Sequence, residues 1–306
     1  MEDETNKIMI IHPIVLVLVS LGYCHFLVTK IPEGTKRLLS LLPVLYIFSI
    51  LPWHFSSSAL ARGLSSFFIT WISSFKLLLF SFNKGPLLSH QNYIDFVVVC
   101  LFPFKMKQNI SPSPNLPPLL KWIIILLISS NFSPFLSVIG FLYLLYDGLP
   151  RYEMVRLFNH PYLATSLQDF WGRRWNRMSS DILRQTVYDP TRQRLSGVIG
   201  FGGAKVAATI ATLVVSGIMH ELVLYYITCG NKPTWEVAWF FVLHGFCMVL
   251  EAGLKHVGRV KGWNPIHPAV SIVLTVGFAI VTCYWLLVLP VWRNTQSECR
   301  FRVLTG

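Results

Sequence analysis

Seven long apolar runs decide what this chain can fold into. They cover Ile8–Val28, Leu38–Trp53, Leu64–Phe82, Leu119–Leu149, Val198–Cys229, Trp235–Leu254 and Ile266–Trp292. A helix needs about 20 apolar residues to cross the hydrocarbon layer. Inside that layer every backbone polar group must be satisfied within the segment, as a helix does. The runs therefore predict transmembrane helices. Composition argues against one large soluble core. Charged residues are 13% of the 306, against about 25% in a soluble domain, too few to solvate an ordinary surface.

Leu119–Leu149 is too long for one crossing, and Ser129-Ser130-Asn131-Phe132-Ser133-Pro134 breaks it with turn-forming residues. The Lys/Arg distribution sets the topology. Loops 29–37, 83–118, 151–194 and 255–262 are basic, and all four are expected to be cytosolic. An even number of crossings must then separate loops 83–118 and 151–194, which makes Leu119–Leu149 a hairpin. The fold class that follows is all-α, a polytopic transmembrane helical bundle of about eight spans in one membrane-embedded domain, 1–306. The acidic N-terminus (Glu2, Asp3, Glu4) is expected in the lumen, ahead of a retained first span rather than a signal peptide. Arg62 and Lys76 make the third span ambiguous. Residues 105–118 read as an irregular Pro- and Ser-rich loop, whose sequon at Asn109 is expected to stay unmodified in the cytosol.

The net charge is +12, but the basic residues lie between apolar runs. That pattern points to lipid headgroups or an anionic substrate rather than nucleic acid. The six cysteines include no C-x-x-C pair. Neither a metal site nor a disulfide framework is expected.

Two regions could carry chemistry. The stretch 151–194 has eight Arg against four acids. Within it Trp171, Arg174 and Trp175 fall at i, i+3 and i+4 and share a helical face. Arg173, Arg174, Arg177 and Arg184 could grip phosphates as bidentate forks. The region suits a ligand with a charged head and a greasy tail, and equally an interfacial helix whose arginines meet headgroups. The second region lies within the fifth run. Lys205, Thr209, Thr212, Ser216 and His220 are spaced to form one polar stripe. Such a stripe implies a water-accessible tunnel, and an ionisable residue there is a functional candidate. Structural readings remain: Ser and Thr can bond their own backbone, and small residues let helices pack closely. Zinc is rejected because the partner expected for a His220-Glu221 pair falls on Leu224. His244 and Glu251, seven apart on the next run, could line the same tunnel or brace the bundle as a buried pair.

Three segments carry a resemblance to a known family: Pro161–Asn176 (PYLATSLQDFWGRRWN), Ser216–Leu222 (SGIMHEL) and Pro233–Gly245 (PTWEVAWFFVLHG). They resemble the hallmark segments of plant wax synthases, the long-chain-alcohol O-fatty-acyltransferases of the membrane-bound O-acyltransferase superfamily. Leu78–Leu87 also looks like them. The resemblance implies an endoplasmic-reticulum enzyme that moves an acyl group from acyl-CoA, its co-substrate, to a lipid alcohol, with no bound cofactor. His220 matches the superfamily's catalytic histidine. Asn176 resembles a second important polar position. Relatives are longer and more apolar between Leu149 and Pro161, where this chain has Arg151, Glu153 and Arg156.

In the expected mechanism neutral His220 takes the alcohol's proton as it attacks the thioester. Asn176 orients His220 or stabilises the oxyanion. Trp171, Arg173, Arg174, Trp175 and Arg177 bind acyl-CoA, while Thr209, Thr212, Ser216, His244 and Glu251 line the tunnel. Other readings are a sterol or diacylglycerol acceptor, an inactive scaffold member of the family, or a transporter. Oligomeric state is not legible.

Overall fold

The computed structural model describes residues 13–54, 59–89, 92–106 and 152–295. Six of its helices are long and apolar enough to cross a membrane. We label the elements α1 (Pro13–Phe26), α2 (Thr35–Ile50), α3 (Ala59–Ser81), α4 (Tyr93–Leu101), α5 (Arg177–Leu183), α6 (Asp189–Ile227), α7 (Glu236–Val260) and α8 (Pro268–Arg293). The described residues are all-α apart from a two-stranded ribbon. The expected hairpin over Leu119–Leu149, the sequon and the acidic N-terminus lie outside the described residues.

Two corrections concern the connections. Residues 105 and 106 are not irregular. They belong to β1 (Phe104–Met106), which pairs antiparallel with β2 (Tyr152–Met154), Lys105 opposite Glu153. The stretch 151–194 is not mainly loop either. From Arg177 onward it is helical and runs into α6 through a π segment at Arg184–Tyr188. The long helix bends at Gly200, whose φ of 73° and ψ of 168° only glycine adopts without strain. Beyond that bend the helix is straight enough to carry the polar stripe.

The two charges inside the third span meet helix C-termini. The buried Lys76 Nζ donates to the carbonyls of Val99 (2.7 Å), Cys100 (3.4 Å) and Phe102 (2.8 Å) at the end of α4. Arg62 donates from Nε to the Tyr226 carbonyl (2.9 Å) and from Nη2 to that of Ile227 (3.1 Å), at the end of α6. Unsatisfied carbonyls and the negative end of the helix dipole gather there, so a cation is stabilised. With both charges partnered, Ala59–Ser81 is one continuous 23-residue helix, long and apolar enough to cross a membrane, with a π segment at Ser66–Ser73.

Leu21, Leu41, Phe48 and Phe96 lead one apolar cluster among α1, α2, α3 and α4. A second joins Trp71 and Ile72 of α3 to Met178, Ile182 and Leu183 of α5. A third packs α6, α7 and α8 around Leu213, Val237, Phe240 and Phe241. The outer faces of α1, α2 and α8 expose Val19, Leu39, Val273 and Trp285. Contiguous exposed apolar surface of this kind suits contact with lipid.

Cys229, in the turn after α6, is disulfide-bonded, a bond that the cysteine spacing did not foresee. Cys24, Cys100, Cys247 and Cys283 are free. Cys299 lies outside the described residues. Sequence spacing reveals only local cysteine pairs, whereas a disulfide joins whatever the fold brings together.

Candidate active site

A cavity of about 860 Å³ lies between the polar stripe of α6, the C-terminal half of α7 and the segment from Gln168 to Tyr188. The stripe predicted from spacing lines it entirely: Lys205, Thr209, Thr212, Ser216 and His220. At about 1.5 Å per residue these fifteen steps extend roughly 22 Å along the helix. Thr209 and Thr212 donate their hydroxyls to carbonyls four residues back, at 2.9 and 2.7 Å. The local bonding and the cavity therefore coexist.

His220 sits at one end. Its Nδ1 lies 2.7 Å from the Ser216 carbonyl oxygen. A carbonyl only accepts, so Nδ1 carries the proton and Nε2 carries the lone pair. Nε2 has no protein partner among the described residues. The ring is stacked on Phe241, with centroids 4.2 Å apart, and meets Trp71 edge-on at 4.8 Å. Trp71 was not visible as a site residue in the sequence, where it reads as an ordinary member of an apolar span.

Two neighbours of His220 in the sequence hold that arrangement. A Cβ on Gly217 would lie 3.0 Å from the Ala238 carbonyl oxygen, so only glycine lets α6 and α7 come this close. The buried Glu221 carboxylate accepts from the backbone N–H groups of Trp235 (2.9 Å) and Ala238 (3.2 Å). It thus caps the N-terminus of α7 from the neighbouring helix, where a negative charge is favoured. Glycine packing and carboxylate cap together fix the register that places Phe241 against His220.

Asn176 also lines the cavity. It adopts a left-handed backbone, φ 38°, as the N-cap of α5, with Oδ1 accepting from Ser179 N–H at 3.3 Å. Among the described residues no hydrogen bond joins Asn176 to His220, and the His220 ring bonds the Ser216 carbonyl instead. Trp171 and Trp175 reach the cavity as expected.

His244 and Glu251 do not line it, correcting the second half of the expected tunnel. His244 is fully buried. Trp171 Nε1 donates to its Nδ1 (2.9 Å), so its Nε2–H donates to Thr282 Oγ1 (2.8 Å), which donates to the Phe278 carbonyl (2.7 Å). Glu251 accepts from the Leu167 N–H at 2.9 Å and pairs with Lys255 at 2.7 Å. Both residues brace the wall from behind, the bland alternative that spacing had left open. Seven residues share a helix face, but spacing does not say what that face meets.

The arginine assignment also shifts. Arg173, Arg174 and Arg177 do not line the cavity. Arg173 and Arg174 pair with the buried Asp169. Arg174 also donates to the His160 carbonyl at 3.2 Å. The π segment Phe170–Arg174 breaks the regular spacing and sends Arg174 away from the tryptophans. The cations that do line the cavity are Arg184 and Lys205, with the His256 imidazole also in its wall. Three of the four π segments in the described residues supply cavity residues: Trp71, then Trp171, then Arg184 with Tyr188. Such segments re-aim side chains at functional sites.

The model of the membrane bound O-acyl transferase family matches residues 154–243, which contain both His220 and Asn176. The chain is 38% identical to "Probable long-chain-alcohol O-fatty-acyltransferase 1" of Arabidopsis thaliana, over 92% of this chain and 90% of that one. The chain belongs to the wax synthase family of membrane-bound O-acyltransferases. It is also 39% identical to "Probable long-chain-alcohol O-fatty-acyltransferase 6" over 94% of this chain and 89% of that one. At 37% it is similar to "Acyl-CoA--sterol O-acyltransferase 1", over 89% of this chain and 87% of that relative. Both are from Arabidopsis thaliana. Trp171, Asn176, Ser216 and His220 all fall inside the segment that the family model matches.

Proposed function

We propose that this wax-synthase-family enzyme transfers a fatty acyl group from acyl-CoA to a long-chain alcohol, with His220 as general base. One observation carries the reading. His220 has Nδ1–H held by the Ser216 carbonyl and Nε2 unpartnered at a cavity wall, the tautomer a base needs. A hydroxyl is a poor nucleophile unless its proton is taken during attack. The thiolate of CoA leaves without strong acid assistance. Asn176, its Oδ1 engaged, has its amide N–H groups available for the developing oxyanion. The cations Arg184 and Lys205 line the cavity, Lys205 at the far end of the stripe from His220, where the CoA phosphates would sit.

The same reading places the protein in the endoplasmic-reticulum membrane with loop 255–262 and the segment before α6 in the cytosol. The disulfide at Cys229 supports this orientation. Disulfides persist in oxidising compartments, which favours a lumenal position for the turn between α6 and α7. A second reading, a sterol acceptor, has the relative of that name behind it. Expression in neutral-lipid-deficient yeast, with labelled acyl-CoA supplied alongside a fatty alcohol, a sterol or diacylglycerol, tests both. Wax ester as the dominant product is expected. Sterol ester instead would replace the acceptor assignment, and no ester at all would sink the enzymatic one.

A further inference from the structure

Two polar side chains in the cavity wall are buried without a partner. Trp71 is 1% exposed and Ser179 5% exposed. Among the described residues neither Trp71 Nε1 nor Ser179 Oγ finds a hydrogen-bond partner. Leaving a buried donor unmade costs the folded protein its hydration with nothing in return. Two other shielded polar atoms without partners, Ser20 Oγ and His25 Nδ1, belong to α1, and neither lines this cavity. The pair at the cavity is different because of where it sits. Trp71 touches the His220 ring, and Ser179 is tied to Asn176 through its own N–H.

Resting on the acyl-transfer reading above, we infer that Trp71 and Ser179 are further donors for the substrate carbonyl oxygen, forming with Asn176 an oxyanion site beside His220. An indole N–H only donates, so its partner must be an acceptor. During attack the oxygen of the alcohol loses electron density, and a donor placed on it would slow the reaction. The thioester carbonyl oxygen gains charge as the alcohol oxygen–acyl carbon bond forms. It loses that charge when the carbon–sulfur bond breaks. The hydroxyl proton passes to His220 Nε2 and then to the departing CoA sulfur. Donors that stay unpaired until charge develops act on the transition state rather than the ground state. Ser179 Oγ reaches the cavity by a rotation about one side-chain bond between staggered positions. Trp71 Nε1 is shielded in the same way, its ring packed against Phe67, with centroids 5.2 Å apart, and against His220, so it too meets an acceptor only after a side-chain adjustment.

The experiment measures kcat, KM and thermal midpoint of the purified enzyme with palmitoyl-CoA and hexadecanol. Ser179→Ala is expected to lower kcat about 100-fold with KM nearly unchanged. Its thermal midpoint should hold or rise, because the substitution removes an unpaired polar group. Trp71→benzothienylalanine, which replaces the indole N–H with sulfur at constant ring shape, should lower kcat in the same way. Full kcat in both variants, or a loss of kcat that tracks a lowered midpoint in Ser179→Ala, overturns the inference. His220→Ala run in parallel separates the two claims. If it is inactive while both donor variants keep full kcat, only the donor assignment fails. If it retains activity, the base assignment fails as well.

Discussion

Two histidines lie inside the membrane on neighbouring helices, and sequence reasoning flags both. They occupy opposite situations. His244 uses both ring nitrogens, accepting from Trp171 and donating to Thr282, and no part of it is exposed. His220 uses one nitrogen and leaves the other toward a cavity. An imidazole with two partners serves as a brace, and one with a single partner on Nδ1 has the tautomer that the proposed base requires. The lesson is that an intramembrane ionisable residue identifies a candidate, but the second nitrogen identifies its job.

The sharpest way to break this contrast is substitution at both. His220→Ala should drop ester formation to assay background while protein abundance in microsomes stays at the wild-type level. Retained activity would remove the distinction. His244→Ala should cost less activity, about tenfold, and more stability. It leaves Trp171 Nε1 and Thr282 without their shared partner, a loss of about 1–3 kcal/mol, read as a lowered thermal midpoint. Equal activity losses with unchanged midpoints would mean His244 takes part in the chemistry.

The arginines give a parallel contrast between cations that face the cavity and cations that face the protein. Arg184→Ala combined with Lys205→Ala should raise the KM for acyl-CoA about tenfold and leave kcat nearly alone, the pattern of lost ground-state binding. The effect should shrink as salt is raised, because charge contacts near solvent are screened. Arg173→Ala should be the mildest change. Its side chain is 76% exposed, and exposed pairs contribute at most about 1 kcal/mol. Initial rates within about twofold of wild type are expected. A large KM effect at Arg173 would restore it to the phosphate-gripping set expected from the sequence.

Much of this was legible in the sequence because it depends on local periodicity. Apolar runs give the six described spans, and the 3.6-residue repeat puts Lys205, Thr209, Thr212, Ser216 and His220 on one face before any neighbour is known. The same logic failed at Trp171, Arg174 and Trp175. A π segment followed by a left-handed Asn176 breaks the period there. It also failed for Trp71, whose importance lies in what it touches.

The amino-acid order alone determined that the chain enters a bilayer, where its helices run and which helical face is polar, since each follows from length and spacing along one segment. The tertiary structure alone decided which histidine nitrogen stays free, which cations meet the cavity and which buried donors go unpaired. Those properties belong to pairs of segments distant in the chain, and helix packing sets them. The glycine at 217 and the carboxylate at 221 make this visible. They are unremarkable in a sequence, yet they fix how α6 meets α7 and so where His220 points.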